Sequence, residues 1–410
     1  MKSLAPTPGL KDWLPVFILA FAAFIFVTTE LLPVGLLPDI AQSLGKSESF
    51  TGLLLTVYAW MVAIASLPLT AATARFDRRF LVLAQLALFA AGNILAALSR
   101  SFAMLLAARI CVALCHAVFW SIATPLVTRI APRGNRAKAL GAIVTGTSLA
   151  TVLGVPLGTL LGHHVGWRLA FAAVGVTALG IAVLMRALVG PQPSRNAGSF
   201  KSLPVLAHRP ALLKIYLLTL LTVTGHFAAF TYLSPFMIQV GGLSAQNVPF
   251  LLLLLGGAGI FGSYVGGKFA ERWSRIFLAA PLLALSACLG LLVLAGWGVA
   301  AAALLCFIWG TVWTAVTLAY QTRVLVCAPD AADIAVSLYS GIFNIGIGGG
   351  ALIGSQVFAH GGVEYIGYAG MVFVLLAAVL ALLPFASRRC DAPGERTESQ
   401  EASAPGEKPL

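Results

Sequence analysis

The chain has 410 residues, of which 59% are hydrophobic and only 10% are charged, with a mean hydropathy of +0.94. That balance excludes a water-soluble globular domain. A formal net charge of +12 would suggest a nucleic-acid partner in a soluble protein. Here the basic residues are spread over many short loops, where membrane topology and anionic headgroups account for them, and no nucleic-acid partner is expected.

At the N-terminus, Lys2 and Lys11 precede an apolar stretch too long for a signal-peptide core and without a clear small-residue cleavage site, so a retained helix is expected. Twelve such stretches follow in order: 13–38, 50–72, 80–98, 102–125, 139–161, 168–189, 211–238, 248–270, 276–296, 299–322, 334–358 and 363–386. Each reaches the roughly 17–25 residues that carry a helix across a ~30 Å hydrocarbon layer. All but Lys46, Arg100, Arg109 and Arg168 of the 26 Lys and Arg residues lie in the tails or in every second connecting loop. Basic loops stay cytoplasmic, so both termini are expected inside. The fold class is an all-α membrane protein with twelve transmembrane helices.

The chain divides at 191–210, where the longest polar stretch between spans gives a central cytoplasmic loop. An N-terminal six-helix bundle is expected over 1–190 and a second over 211–386. The polar tail, 387–410, has a disordered composition. Landmarks recur between the halves at nearly constant offsets. Thr73 to Arg79 is echoed by Gly267 to Arg272 at 194 residues, Ala131-Pro132 by Ala328-Pro329 at 197, and Gly141 and Gly154 by Gly341 and Gly354 at 200. Internal repeats of this kind build many secondary transporters, with the solute site near the midplane between the halves. The many glycines of the fifth and eleventh spans suit close helix packing, or bending during a cycle. Gly257-Ala-Gly259-Ile-Phe-Gly262 fits a dinucleotide fingerprint but lies inside an apolar span, where no such site forms. The six cysteines show no metal or redox spacing, so neither metal, cofactor nor disulfide is expected. No nucleophile–base pattern points to an enzyme.

Two charges stand inside apolar spans. Glu30 and Arg109 are expected at similar depths, about 12 Å and 10 Å from the same end. An intramembrane ionisable group faces a partner or a wet cavity and is a functional candidate. Changes in hydration and in distance from Arg109 would alter the proton affinity of Glu30 during a cycle; a permanent Glu–Arg brace is the structural alternative. Helical spacing places Arg109, Ala113, His116 and Trp120 on one stripe of the fourth span. Phe26 is one turn from Glu30, Thr222 aligns with His226, and Trp309 with Trp313 and, beyond them, Tyr320. With Tyr58 and Asn344, these residues would suit a polyol or another small amphipathic solute, or would serve ordinary packing. His163-His164 is expected at a solvated outer loop.

The loop Gly267-Lys-Phe-Ala-Glu271-Arg272, and its first copy with Thr73 where Gly is usual, resemble the signature loop of the major facilitator superfamily. Arg109 resembles the buried Arg of that family's proton-coupled exporters, with Ala113 in place of a common Gly. Gly154-Val-Pro156-Leu-Gly158 resembles its antiporter motif. Phe24 to Asp39, Leu251 to Gly262 and Ser340 to Gly348 resemble bacterial sugar efflux transporters of the drug:proton antiporter branch, a similarity that spans all twelve stretches but not the tail. The resemblance implies two bundles rocking about a cavity lined by the first, fourth, seventh and tenth spans. It implies export of arabinose or thiogalactoside-like sugars against inward proton flow, from a monomer in the bacterial inner membrane. A multidrug:proton antiporter is the alternative. Glu30 and Arg109 would couple protons, while Asp77 with Arg78 and Glu271 with Arg272 would latch helices in one conformation.

Overall fold

The computed structural model describes residues 9–73, 75–193, 206, 208–270, 275–328 and 332–383. Glu271, Arg272 and the tail at 387–410 lie outside the described residues, as does most of the central loop. The passes are α1 (Leu10–Gly35), α2 (Leu53–Thr73), α3 (Arg78–Ala97), α4 (Phe102–Ile130), α5 (Arg136–Leu149, a π-helical turn Ala150–Gly154, then Val155–Val165), α6 (Trp167–Leu188), α7 (Pro210–Phe230), α8 (Val248–Ala270), α9 (Arg275–Gly290), α10 (Val299–Cys327), α11 (Ala332–His360) and α12 (Ile366–Leu382). Among the described residues, eleven passes are individually long and apolar enough to cross a membrane. The ninth, predicted at 276–296, is completed by a 3-10 turn, Leu292–Trp297, after α9.

Local chemistry sets the helix ends. Asp77 caps α3 by accepting from the Phe80 N–H at 2.9 Å, and Ser101 caps α4 by accepting from the Met104 N–H at 3.3 Å. Gly166, at φ +94°, joins α5 to α6 in a single residue, a backbone angle that penalises any side chain. The first predicted span, 13–38, is not one helix. It breaks at Leu36 and continues as the short helix Leu37–Ser43. Pro33 and Pro38 each lack the N–H that would bond the carbonyl four residues earlier. The seventh span, 211–238, breaks likewise before Leu233–Gln239, which contains Pro235.

Packing follows the internal repeat. In the first half α1 packs on α5 and α6, α3 on α4 and α6, and α2 on α4; α7 to α12 repeat each of these pairings in order. Glycines show the match at residue level. A β-carbon on Gly154 would overlap Thr28, and one on Gly354 would overlap the Ala228 carbonyl. Thr28 and Ala228, like the two glycines, are 200 residues apart. With Gly146 set against the Ala20 carbonyl as well, small residues bring the first and fifth helices of each half close together. Gly141 and Gly341, the other pair noted in the sequence, face open space.

The halves meet along α2–α11 and α5–α8, one interface used twice by the repeat. They join most closely at the end away from the two chain termini. There Val34, Leu37, Leu55, Ala59 and Val155 of the first half enter the apolar core of the second. The Ser49 carbonyl accepts from the Ser355 hydroxyl at 2.8 Å and the Tyr232 hydroxyl at 3.4 Å, and Gln239 donates to Glu48 at 2.7 Å. Nearer the middle, the Trp60 indole donates to the Ile345 carbonyl at 3.3 Å. At the terminal end the core of the first half, including Leu126, Ala139, Met185 and Val189, contains no residue of the second among the described residues. Among the described residues, the contacts between the halves gather at the end away from the termini.

Gly52 faces Tyr232 so closely that a β-carbon there would overlap its hydroxyl. Tyr232 is fully buried and also bonds the Ala351 carbonyl at 2.9 Å, so it cannot swing aside freely. Gly52→Val is therefore expected to pry the halves apart at this end. A cysteine placed at Ser355 should then react severalfold faster with a membrane-impermeant maleimide; an unchanged rate would show that this contact does not hold the end closed.

Candidate functional site

Two polar clusters face the interior, one per half. In the first, Pro33 leaves the Thr29 carbonyl without its helical donor. The Arg109 guanidinium fills the gap from α4: Nη1 donates to the Thr29 carbonyl at 2.6 Å and Nη2 to the Glu30 carbonyl at 3.0 Å. The guanidinium lies over the Tyr58 ring at 4.2 Å, a favourable cation–π position. Arg109 thus braces the backbone of α1, not the Glu30 carboxylate: no Glu30–Arg109 side-chain pair forms within 4.0 Å among the described residues.

The Glu30 carboxylate turns instead to His116, with Oε2 3.8 Å from Nδ1, and its side chain is only 12% exposed. His116 is itself held at both nitrogens. The Trp120 indole N–H donates to Nε2 at 2.8 Å, and the Tyr58 hydroxyl is 2.7 Å from Nδ1. An indole nitrogen can only donate, so Nε2 must accept and the neutral ring carries its proton on Nδ1, toward Tyr58 and Glu30. Imidazole and phenol are thus hydrogen-bonded across α2 and α4, with the Glu30 carboxyl of α1 beside them at 3.8 Å. Phe26 is stacked on Phe119 at 4.2 Å, meets the tilted Phe89 ring at 4.1 Å and is fully buried. It packs the wall behind His116.

The second cluster joins α7 and α10. The Thr222 hydroxyl is 3.0 Å from the Tyr320 hydroxyl, and the Trp309 indole donates to His226 Nδ1 at 2.9 Å. His226 stacks on Trp313 with ring centroids 3.6 Å apart and 10° between planes, and Phe230 covers its other flank at 5.1 Å. Trp313 also meets Phe343 of α11 at 6.0 Å. Asn344, beside Phe343, donates to the Ser340 carbonyl at 2.9 Å, while its Oδ1 is buried without a hydrogen-bond partner. Asn344 makes no bond to either cluster among the described residues.

The clusters are repeat partners with exchanged chemistry. Phe26 and His226 are 200 residues apart, and His116 and Trp313 are 197 apart, so an imidazole–aromatic pair recurs with its members swapped. Glu30 and Arg109 have Phe230 and Cys306 as counterparts. Buried charge is confined to the first half of this pair of sites.

Of the latch residues, Asp77 serves its own helix as the cap of α3, and the Arg78 backbone N–H donates to the Gln192 carbonyl at 2.8 Å. His163 corrects an expectation: it is not solvated but 12% exposed, and pairs with Asp39 at 3.2 Å. The break at Leu36 lets Leu37–Ser43 bring Asp39 over the end of α5. Sequence reasoning missed the buried Thr29–Asn93 bond at 2.7 Å, which ties α1 to α3 beside the Arg109 brace. The signal was a lone Asn one turn from Phe89 in an apolar helix. No trio of His, Cys, Asp or Glu that could hold a metal ion occurs among the described residues.

The model for the Major Facilitator Superfamily matches residues 19–334. Among solved structures, the chain is similar to a bacterial homolog of the human lysosomal transporter Spinster in its inward-facing, unoccupied conformation. The two share 17% identity and a TM-score of 0.75, over 92% of this chain and 97% of the other. The occupied inward-facing form of a bacterial Spinster homolog gives 18% identity and a TM-score of 0.77 over the same shares. This chain is a multi-pass membrane transporter that belongs to the Major Facilitator Superfamily.

Proposed function

We propose that the chain exports small, partly polar solutes from the cytoplasm, sugars of the arabinose and thiogalactoside kind, in exchange for protons moving inward. The observation that carries this reading is the Glu30 carboxyl, turned into the bundle beside His116 and Tyr58 and close to the Arg109 guanidinium without an ion pair to it. Such a group can take and release a proton as its surroundings change. Basic loops favour the cytoplasm, which on this reading puts the terminal end, where the described halves share no core, on the inner side. Solute enters there and meets deprotonated Glu30. The halves rock, Glu30 takes a proton from outside, solute leaves, and the neutral carboxyl permits return. Proton and solute must favour the two conformations unequally, since equal affinity for both shifts nothing.

The unpartnered Asn344 Oδ1 and the remaining lone pairs of the Tyr58 and Thr222 hydroxyls suit solute hydroxyl groups, while His116 and Trp120 would have to exchange their mutual bond for one to solute. The stacked His226, Trp313 and Phe230 rings favour a second reading, a flat lipophilic drug moved by the same machinery. Purified protein in liposomes carrying a pH dye separates the two. Arabinose is expected to drive proton movement and ethidium to drive little. The reverse outcome would establish the drug reading, and no response to either would overturn proton exchange.

A further inference from the structure

At the terminal end of the first half, away from the Glu30 cluster, lies a basic cavity of 750 Å³. Thr128 and Arg129 line it from the end of α4, Arg133 and Arg136 from the turn into α5, and residues 191–193 after α6 close it. That wall is fastened: Arg129 Nη1 donates to the Pro193 carbonyl at 2.9 Å, and the Arg78 N–H bonds Gln192 beside it. No carboxylate pairs with Arg129, Arg133 or Arg136 among the described residues. Arg78 stands within electrostatic reach of Arg129, so like charges converge on one hollow. The start of α5 adds to this, because Asn135 makes no side-chain cap there.

A second hollow points to the ligand. An apolar groove of 390 Å³ opens between α1 and α6, lined by Phe17, Phe21, Gly180 and Leu184. It ends one turn before Leu188, the last residue of α6, and the segment that closes the basic cavity follows directly. We propose that this half binds an anionic phospholipid, its headgroup phosphate among the three arginines and an acyl chain in the α1–α6 groove. Guanidinium forks match phosphate oxygens in pairs, and the groove offers what a free phosphate cannot use.

The test titrates the purified full-length chain in neutral detergent with phosphatidylglycerol, or with phosphatidylcholine of the same acyl chains, and reads adducts by native mass spectrometry. Phosphatidylglycerol is expected to bind more tightly. Arg133→Gln with Arg136→Gln should weaken it roughly thirtyfold, at ~1 kcal/mol per basic side chain near an anionic headgroup. Lys11→Gln with Arg75→Gln removes equal charge from exposed positions and should change affinity less than about threefold, since neither lines the cavity. Equal weakening by both pairs, or equal affinity for the two lipids, would overturn the site. Inorganic phosphate displacing the lipid at equal concentration would overturn the lipid assignment. Gly180→Trp keeps every charge and fits, since nothing lies within 4 Å of a β-carbon there; it should fill the groove and weaken phosphatidylglycerol, and unchanged affinity would remove the acyl chain from the proposal.

Discussion

Glu30→Gln is expected to abolish proton coupling while leaving the bundle folded. The amide keeps the size of the carboxyl and can still accept a hydrogen bond from its neighbours, but it cannot take up a proton at physiological pH. The expected size follows from the driving force. One proton crossing a potential of about 100 mV supplies about 2.3 kcal/mol, enough to hold a solute gradient of roughly fiftyfold. In everted vesicles the variant should hold a gradient near unity, while exchange of labelled solute continues with the potential collapsed. Solute-driven proton movement at the wild-type rate in this variant would take Glu30 out of the cycle.

Arg109→Ala should cause the largest loss of stability of any single change in the first half. Its guanidinium makes two hydrogen bonds from a charged donor, each worth about 1.5–3 kcal/mol, and leaving the Thr29 carbonyl buried and unpaired adds to the cost. A loss of about 3–5 kcal/mol is expected in thermal or denaturant unfolding in detergent. Arg109→Lys should restore less than half, because one ammonium cannot span both carbonyls and stack on Tyr58. Pro33→Ala supplies the decisive background. It returns an N–H to position 33, so the Thr29 carbonyl regains its helical donor. Arg109→Ala should then cost about 1–2 kcal/mol less than in the wild type. The same cost in both backgrounds would mean that Pro33 does not create the need for Arg109.

The twelve passes were legible because about 20 consecutive apolar residues have few uses other than spanning a bilayer. The repeat was legible too: Gly154 and Gly354 occupy matched contacts, although Gly141 and Gly341 have none. Helical spacing put His116 and Trp120 on one stripe, and the structure adds the bond between them, one turn apart. Partnerships between helices were not legible, because spacing along one helix does not say which helix lies opposite. Thr222 with Tyr320 and Trp309 with His226 are of this kind. Equal depth left a Glu30–Arg109 brace as an open alternative, and Pro33, four residues after Thr29, already marked a carbonyl in need of a donor. Asp39 and His163 were missed because the break at Leu36 was read as continuous helix.

The seam at the end away from the termini has an energetic meaning. Ser49 is fastened by two hydroxyl groups and Glu48 by one amide, and each such bond is worth only about 0.5–1.5 kcal/mol net, somewhat more at the carboxylate. The hydrogen bonds of the clasp therefore total a few kcal/mol, below the ~5.5 kcal/mol that carries a two-state population from 1:99 to 99:1, and the rest of the seam's strength comes from the apolar side chains that cross it. Opening that end must therefore offset chiefly the withdrawal of Val34, Leu37, Leu55, Ala59 and Val155 from the opposite core, at roughly 1.5–3 kcal/mol for each large apolar side chain left exposed.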